Sequence, residues 1–381
     1  MSRLKVRTAG ESHGPAIVAL IEGLPAGLAV DAARIDADLA RRQGGYGRGA
    51  RQEIEQDRVE VLAGVRHGRT LPGPVVLAVR NRDSRLEECP EVSRPRPGHA
   101  DLAGALKYLE PDMRNILERA SARETAGRVA AGAMAKSLLA EFGIDVLAYV
   151  TRIGAVEAAV PDAITDRRAR RDASAVFSPD PAAESAMKAA IDAAGKAGDT
   201  LGGIIECVAT GLPPGLGGHT QWTEKLDGRL ARAVISIQAI KAVEFGLGFG
   251  VAERPGSQVH DPIGFEAKAR GGPALGFTRA TNNAGGIEGG MTNGQPVVIR
   301  AAMKPISTLR KPLASINLRT KAAEEATYER SDVCAVPAAS VVVEAVVATE
   351  LAGAMIEKFG GDSLRQMRAA YEAWRRAAAD I

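Results

Sequence analysis

Apolar positions along the chain keep two periods, and the changes from one to the other mark its elements. Alternating or continuous apolar runs at Ala16–Ile21, Val59–Val65 and Pro74–Val79 predict strands, separated by Gly-Leu-Pro and Gly-Pro turns. Between the first two, Asp31–Gln43 carries Ile35 and Leu39 at helical spacing and ends in Arg41, Arg42, Gly44 and Gly45. A helix is therefore predicted to release into a basic glycine loop, GGYGRGAR. Arg80–Pro97 is polar and holds prolines. After it, RASARETAGRVAAGAMAKSLLAEFG opens with Ser121 and Glu124 at capping-box spacing and stops at Gly143. Val129, Ala133 and Leu139 give this predicted helix an apolar face rich in small residues, over which neighbours can pack closely.

The same reading continues through the second half. Val146–Val156 and Gly203–Thr210 predict strands, with an alanine-rich helix at Ala182–Ala197 between them, and the charged stretch Asp162–Ala175 reads as a surface loop. From Glu224 the spacing of Leu226, Leu230, Ala233, Val234 and Ile237 predicts a helix that runs into QAIKAVEFGLGFG, where glycines end it. Ala252–Thr281 has no strong period. Val336–Phe359, opened by Pro337 and closed by Gly360, predicts a long helix buried on most sides. Two long helices of small residues that each end in Phe-Gly hint at an internal duplication. No stretch reads as a linker, so residues 1–381 are expected to form one domain of mixed strands and helices.

Composition narrows the class. With 381 residues and 45% hydrophobic content the chain can bury a sizeable core. A formal net charge of +3 gives no broad footprint for nucleic acid or an anionic membrane, so any basic site must be local. The three cysteines, Cys89, Cys207 and Cys334, are odd in number and lack close metal-ligand spacing, which argues for a reducing compartment and against a disulfide framework or a structural metal. The N-terminal stretch MSRLKVRTAGESHG has no apolar core of signal-peptide length, and no later run is expected to span a bilayer. A cytoplasmic location follows as the expectation.

Chemistry concentrates in a few places. TNNAGGIEGGMTNGQPVVIRAAMKPIST, Thr281–Thr308, places Gly285, Gly286, Gly289, Gly290 and Gly294 among asparagines, then a β-branched strand, then Lys304, Ser307 and Thr308, a cation and two hydroxyls suited to phosphate. It reads either as a ligand cradle or as a hairpin with a permissive turn. Of five histidines, His13 in GESHG and His99 in RPRPGHAD sit on glycine- or proline-shaped turns, where each could serve as acid or base near neutral pH. His67, His219 and His260 read as structural. Arg42 and Arg48 flank the glycine loop, Arg119 and Arg123 are placed at a helix N-terminus, and Arg330 precedes Ser331 and Asp332. Guanidinium forks and a helix N-terminus suit a polyanionic substrate. Asp332 could cap the following helix or act as a catalytic carboxylate. GYGRGAR also matches an RNA-binding arginine-glycine segment, but it occurs once in a chain with 4% aromatic content.

GESHG, RRQGGYGRG, RPGHAD, ERASARETA, QAIKAVEFG, TNNAGGIEGGMTNGQ, AAMKPIST and RSDVCAVPAA, in this order from Gly10 to Ala339, resemble the chorismate synthase family. The resemblance runs from Arg7 to about Asp362, with a short connection at Asp83–Ser93 where many relatives are longer. It implies an α+β fold, a β-α-β sandwich with helices packed between antiparallel sheets, and a homotetramer. It implies a lyase that eliminates phosphate and a ring proton from 5-enolpyruvylshikimate 3-phosphate in the anti-1,4 sense, the last common step of the shikimate pathway, and that needs reduced FMN without net redox change. By likeness, Arg42, Arg48, Arg123 and His13 face the substrate, with His13 placed to protonate the departing phosphate, and His99 lies beside the flavin. Arg119, Ala120, Ser121, Gln238, Ala239, Gly289, Lys304, Pro305, Ile306, Ser307, Thr308 and Arg330 match flavin-binding positions. Asp332, with Ser12, resembles the pair that manages the proton at the flavin. Flavin reduction by NADPH on this chain or by a separate reductase both stay open; GLGFG at Gly246–Gly250 lacks the full dinucleotide spacing, which favours the reductase. From the pattern alone the other readings are a flavin-dependent oxidoreductase and an RNA-binding protein.

Overall fold

The strand periods of the first third close into an antiparallel sheet ordered Lys5–Ala9, Ala16–Glu22, Val75–Arg80, Val59–Ala63. These positions come from a computed structural model that describes residues 4–49, 56–329 and 331–381. In Ala16–Glu22 the alternation puts Ile17, Ala19 and Ile21 inward. A second antiparallel sheet runs Ile240–Phe245, Val297–Met303, Gly203–Thr210, Asp145–Ile153, Val156–Glu157. Helix Thr125–Ala140 lies on the first sheet and helix Val336–Phe359 on the second, and the two pack against each other. Ala32–Gln43 and Leu226–Ile235 join them, so a helical layer sits between two sheets and one apolar core runs through all three layers. The fold is the expected α+β sandwich.

Small residues make the helical layer thin. A Cβ built on Gly132 would fall 2.4 Å from the Ala345 Cβ and 2.6 Å from its Cα, so glycine is what lets the two central helices touch backbone to backbone. Val336–Phe359 spans 24 residues and is long and apolar enough to cross a bilayer, contrary to the expectation that no run would be. Its most apolar window is 89% buried inside the fold, which accounts for its composition without a membrane. One of the charges on this helix is buried. The Glu344 carboxylate accepts hydrogen bonds from Arg41 (2.7 Å), Lys136 (2.6 Å), Arg171 (2.9 Å) and the Ala148 amide (2.9 Å). Burial alone would raise its pKa, but Lys136, Arg41 and Arg171 outweigh that and hold it well below the usual carboxylate range.

Four expectations are corrected. Asp162–Ala175 is largely helix, Ile164–Ala173; its buried face is Arg171, paired with Glu344, so hydrophobic periodicity could not reveal it. The helix begun at Leu226 stops at Ile235, and Ile240–Phe245 is an edge strand, because Ala239 takes φ of 68° and turns the chain. Ser121 caps a short 3-10 turn through the Arg123 amide, while the Glu124 carboxylate goes to Thr8, Arg128 and Gln238, so the capping box does not form. Arg119 accordingly sits in the last turn of helix Arg114–Ala120 and not at a helix N-terminus. The C-terminal tail adds a helix, Leu364–Ala378, opened by a Ser363–Gln366 capping box.

Gly132→Ala is expected to lower stability by about 1–3 kcal/mol through overpacking. Gly228→Ala, on an exposed helix position with open space around it, should raise stability by roughly 0.5–1 kcal/mol. Urea unfolding of both variants checks the pair, and equal midpoints would show that the central helices have room to separate.

Candidate active site

The last turn of helix Ala32–Gln43 and the loop after it deliver the first two arginines. Arg42 reaches the buried Asp57 carboxylate at 2.8 Å and the Thr125 hydroxyl at 3.4 Å. Arg123 reaches the other Asp57 oxygen at 2.6 Å, Asn81 Oδ1 at 2.7 Å and the Arg80 carbonyl at 3.2 Å. Asn81 in turn donates to the carbonyls of Gly14 (2.6 Å), Glu11 (3.1 Å) and Ser12 (3.4 Å) and so fixes the GESHG turn. Burial, with Arg123 and Arg48 nearby and Asp57 opposing, lowers the Arg42 pKa from its ordinary value, a mark of a strongly positive pocket.

His13 stands on that turn. Its Nδ1 lies 2.8 Å from Glu118 Oε1, its amide donates to Glu118 Oε2 at 2.8 Å, and its Nε2 lies 3.8 Å from Asp83. Burial pushes the Glu118 carboxyl up, but hydrogen bonds from the His13 ring and amide and from Arg114 outweigh it and hold the group below the usual range. Ser12 is buried, donates its amide to the Glu118 carbonyl and accepts from the Ser121 hydroxyl at 3.2 Å.

A second chain of contacts starts from Arg48. Its guanidinium pairs with Asp332, whose other oxygen accepts the Gly49 amide at 2.7 Å. Residues 45–49 are docked rather than free, since the Gly47 carbonyl accepts the amides of Val333 and Cys334, while the last two residues of GYGRGAR lie outside the described residues. Ser331 donates to the Thr308 carbonyl at 3.2 Å, and Thr308 Oγ1 receives Arg96 at 3.2 Å. Arg96 forks onto Asp101, and His99 Nδ1 is hydrogen-bonded to the same fully buried carboxylate. Burial would raise the Asp101 pKa, but bonds from His99 and Arg96 prevail and hold it well below its ordinary value. The turn RPGHAD and the segment Lys304–Thr308 are thus neighbours, with a Cβ on Gly98 only 3.7 Å from Ser307 and 3.8 Å from the Lys304 amine.

The remaining expected residues divide. The Lys304 amide donates to the Ala239 carbonyl at 2.9 Å, Ile306 is held by Thr200, Gly202 packs on Pro305, and Gln238 donates to Glu124, so Gln238, Ala239 and Lys304–Thr308 form one surface. Ala120 and Ser121 end the helix that carries Glu118. Arg119 is exposed and its guanidinium is used by the Gly10 and Thr8 carbonyls. Gly289 precedes Gly290, which packs on Lys225 and whose carbonyl accepts the Leu226 amide at the start of helix Leu226–Ile235. Arg330 lies outside the described residues. In the glycine stretch, a Cβ on Gly285 would fall 2.3 Å from Gly246 N and one on Gly286 2.4 Å from the Pro296 carbonyl, so those glycines serve a backbone junction.

Sequence reasoning missed Asp57, Asn81, Arg96, Asp101, Glu118 and Lys241. Arg96, Asp101, Glu118 and Lys241 lie inside the motifs RPGHAD, ERASARETA and QAIKAVEFG. Asp57 and Asn81 carry no local signal. Burial and the nearby Lys241 lower the Lys304 pKa, and Lys304 has no carboxylate partner among the described residues. Arg42 Nε, Arg48 Nε and Gln238 Oε1 are buried and find no partner among those residues either.

An α+β sandwich with buried guanidiniums, a half-buried lysine and two carboxylate-held histidines around one surface is the build of an enzyme for a polyanionic small molecule. The chorismate synthase family model matches residues 4–356. Chorismate synthase of Geobacter sulfurreducens is 57% identical, covering 97% of this chain and 98% of its own, and that of Enterococcus faecalis is 53% identical over 97% of each. A crystal structure of chorismate synthase superposes with a TM-score of 0.83 at 41% identity over the full length of both chains. The chain belongs to the chorismate synthase family. It is a lyase of the shikimate pathway that forms chorismate.

Asp101→Asn should cost about 3–5 kcal/mol at neutral pH by leaving Arg96 buried and unpaired. Because the folded pKa is depressed, the carboxylate contributes fully above its unfolded value of about 3.9 and loses its contribution as pH falls below that. The stability gap between wild type and variant, measured by urea unfolding, should therefore narrow in acid. A gap unchanged down to about pH 2 would contradict the ion pair.

Proposed function

We propose that the Arg42, Arg48 and Arg123 side chains hold 5-enolpyruvylshikimate 3-phosphate and that His13 gives a proton to the phosphate as its carbon–oxygen bond breaks. The observation that carries this reading is a pair of buried guanidinium donors: Arg42 Nε and Arg48 Nε find no partner among the described residues. A phosphorylated dicarboxylate supplies the missing acceptors. Glu118 orients the His13 ring. The phosphate leaves with the electron pair of the broken bond, and the electrons of the cleaved ring C–H bond form the new double bond. We assign the handling of that ring proton to Asp332 with Ser12, each held by its own partners, Arg48 and Gly49 for the first and Ser121 for the second.

The family's need for reduced flavin fits these residues. Lys304 beside Lys241, without a carboxylate, suits the FMN phosphate, and the buried Gln238 Oε1 suits a donor on the ring. Ala120, Ser121, Gln238, Ala239, Lys304, Pro305, Ile306, Ser307 and Thr308 would hold the cofactor, with His99 beside it and Arg119 at its margin, and the family likeness adds Gly289 and Arg330. Bound reduced FMN supplies the electron density that lets the phosphate depart without net redox change. Gly246 and Gly248 of GLGFG are closed off, since a Cβ at either would meet Asn283 O or Glu244 Oε2 at 2.0 Å or less. We therefore assign reduction of the flavin to a separate reductase and not to NADPH bound on this chain. A single chorismate synthase-like domain over residues 1–381, a homotetramer and a cytoplasmic location complete the reading.

His13→Gln should lower turnover by about a hundredfold or more while FMN still binds, because a neutral amide cannot supply the proton. Near-normal turnover would remove His13 from the reaction. Arg48→Lys keeps the charge but loses the planar fork, and should weaken substrate binding by about 1–3 kcal/mol. Calorimetry with oxidised flavin present reads this without turnover, and unchanged affinity would show that Arg48 serves only Asp332.

A further inference from the structure

The reaction leaves one group beside His13 unused. Cys89, in the short connection between Asp83 and Ser93, places its sulfur so that one ligand atom each of His13, Cys89 and Glu118 lies within 4.8 Å of the others. The backbone fixes this placement from both ends. The Leu86 amide donates to the His13 carbonyl at 3.1 Å, the Cys89 amide to Leu86 at 3.2 Å, and the next residue, Pro90, accepts from Arg114 Nε at 3.0 Å. Zinc at the usual bond lengths of about 2.0 Å to nitrogen or oxygen and about 2.3 Å to sulfur sets its ligand atoms roughly 3.5 Å apart. Side-chain rotations of about an ångström close that difference.

We propose that His13, Cys89 and Glu118 form a binding site for a thiophilic divalent cation of the zinc type, and that its occupancy switches the enzyme off. Nitrogen, sulfur and oxygen donors from three segments make a three-ligand site with a free coordination position, the pattern of an exchangeable rather than a structural ion. The outer groups are in place as well. Asp83 lies 3.8 Å from His13 Nε2, and Arg114 lies 3.4 Å from Glu118 Oε1, so a ligating imidazole and a ligating carboxylate each have a polar neighbour to orient them. Cys89 and His13 are half-buried and Glu118 is buried. Binding releases the thiol proton and occupies the His13 nitrogen, so the ring can no longer act as an acid. The inhibitory half rests on the role given to His13 above; the binding half does not.

The test is an anaerobic cobalt(II) titration of the full chain, wild type against Cys89→Ser. Wild type should take up one cobalt per chain with thiolate-to-cobalt charge-transfer absorption, zinc should remove that absorption, and the variant should lack it; Cys207 and Cys334 are buried and do not compete. No charge-transfer absorption in wild type, or the same absorption in the variant, overturns the site. In turnover assays zinc should depress wild type by about a hundredfold, reversibly by chelator, and leave Cys89→Ser active. Cobalt bound through Cys89 with zinc-insensitive turnover would refute the switch and, with it, the acid role of His13, while equal inhibition of both proteins would place the zinc effect elsewhere.

Discussion

One buried carboxylate, Asp57, holds two guanidiniums that arrive from different helices, and the rest of the site hangs on that junction. Neither Arg42 nor Arg123 could be buried alone, because an uncompensated charge in a low-dielectric interior costs several kcal/mol. Sharing that carboxylate makes their burial tolerable. Through Arg123 the junction extends to Asn81, and Asn81 shapes the turn that carries His13. The adjacent residue, Arg41, points the other way, to Glu344 in the middle of the central helix. Neighbouring arginines at the end of one helix thus tie the site to Asp57 and the fold to Glu344. A shift in the helical layer would be felt at once by Arg42 and its partners.

What the sequence showed depended on whether a residue's role was written in local pattern. Helix Val336–Phe359 and strand Gly203–Thr210 could be read to their ends, because a long apolar run and its glycine or turn boundaries need no tertiary information. Helix Ile164–Ala173 could not, since it buries an arginine against a glutamate 173 positions away. Strand Ile240–Phe245 was hidden behind a helix that stops at Ile235, short of Ala239, whose positive φ, a conformation alanine rarely adopts, turns the chain. The same division holds in the site. His13 and His99 stood out by their glycine and proline neighbours, whereas Asp57 and Asn81 are ordinary residues until the fold brings their partners to them.

The glycine stretch Thr281–Thr308 shows both outcomes within one segment. Its first half meets the conformational demand expected of it, positive φ at Gly285 and Gly286, but applies it to close contact with Gly246 and Pro296. Its second half ends where the phosphate chemistry was expected, with Lys304 and Thr308 beside Gly98 and Arg96. Backbone freedom and ligand chemistry, joined in sequence, are separated in space by the length of strand Val297–Met303.

The most direct test of the account follows phosphate release and flavin oxidation state together, anaerobically, with the pure chain, 5-enolpyruvylshikimate 3-phosphate and FMN reduced beforehand. The account predicts chorismate and phosphate in equal amounts, no release with oxidised FMN, and flavin still reduced when the substrate is gone. Flavin oxidised in proportion to substrate consumed, or phosphate released without reduced flavin, would contradict it.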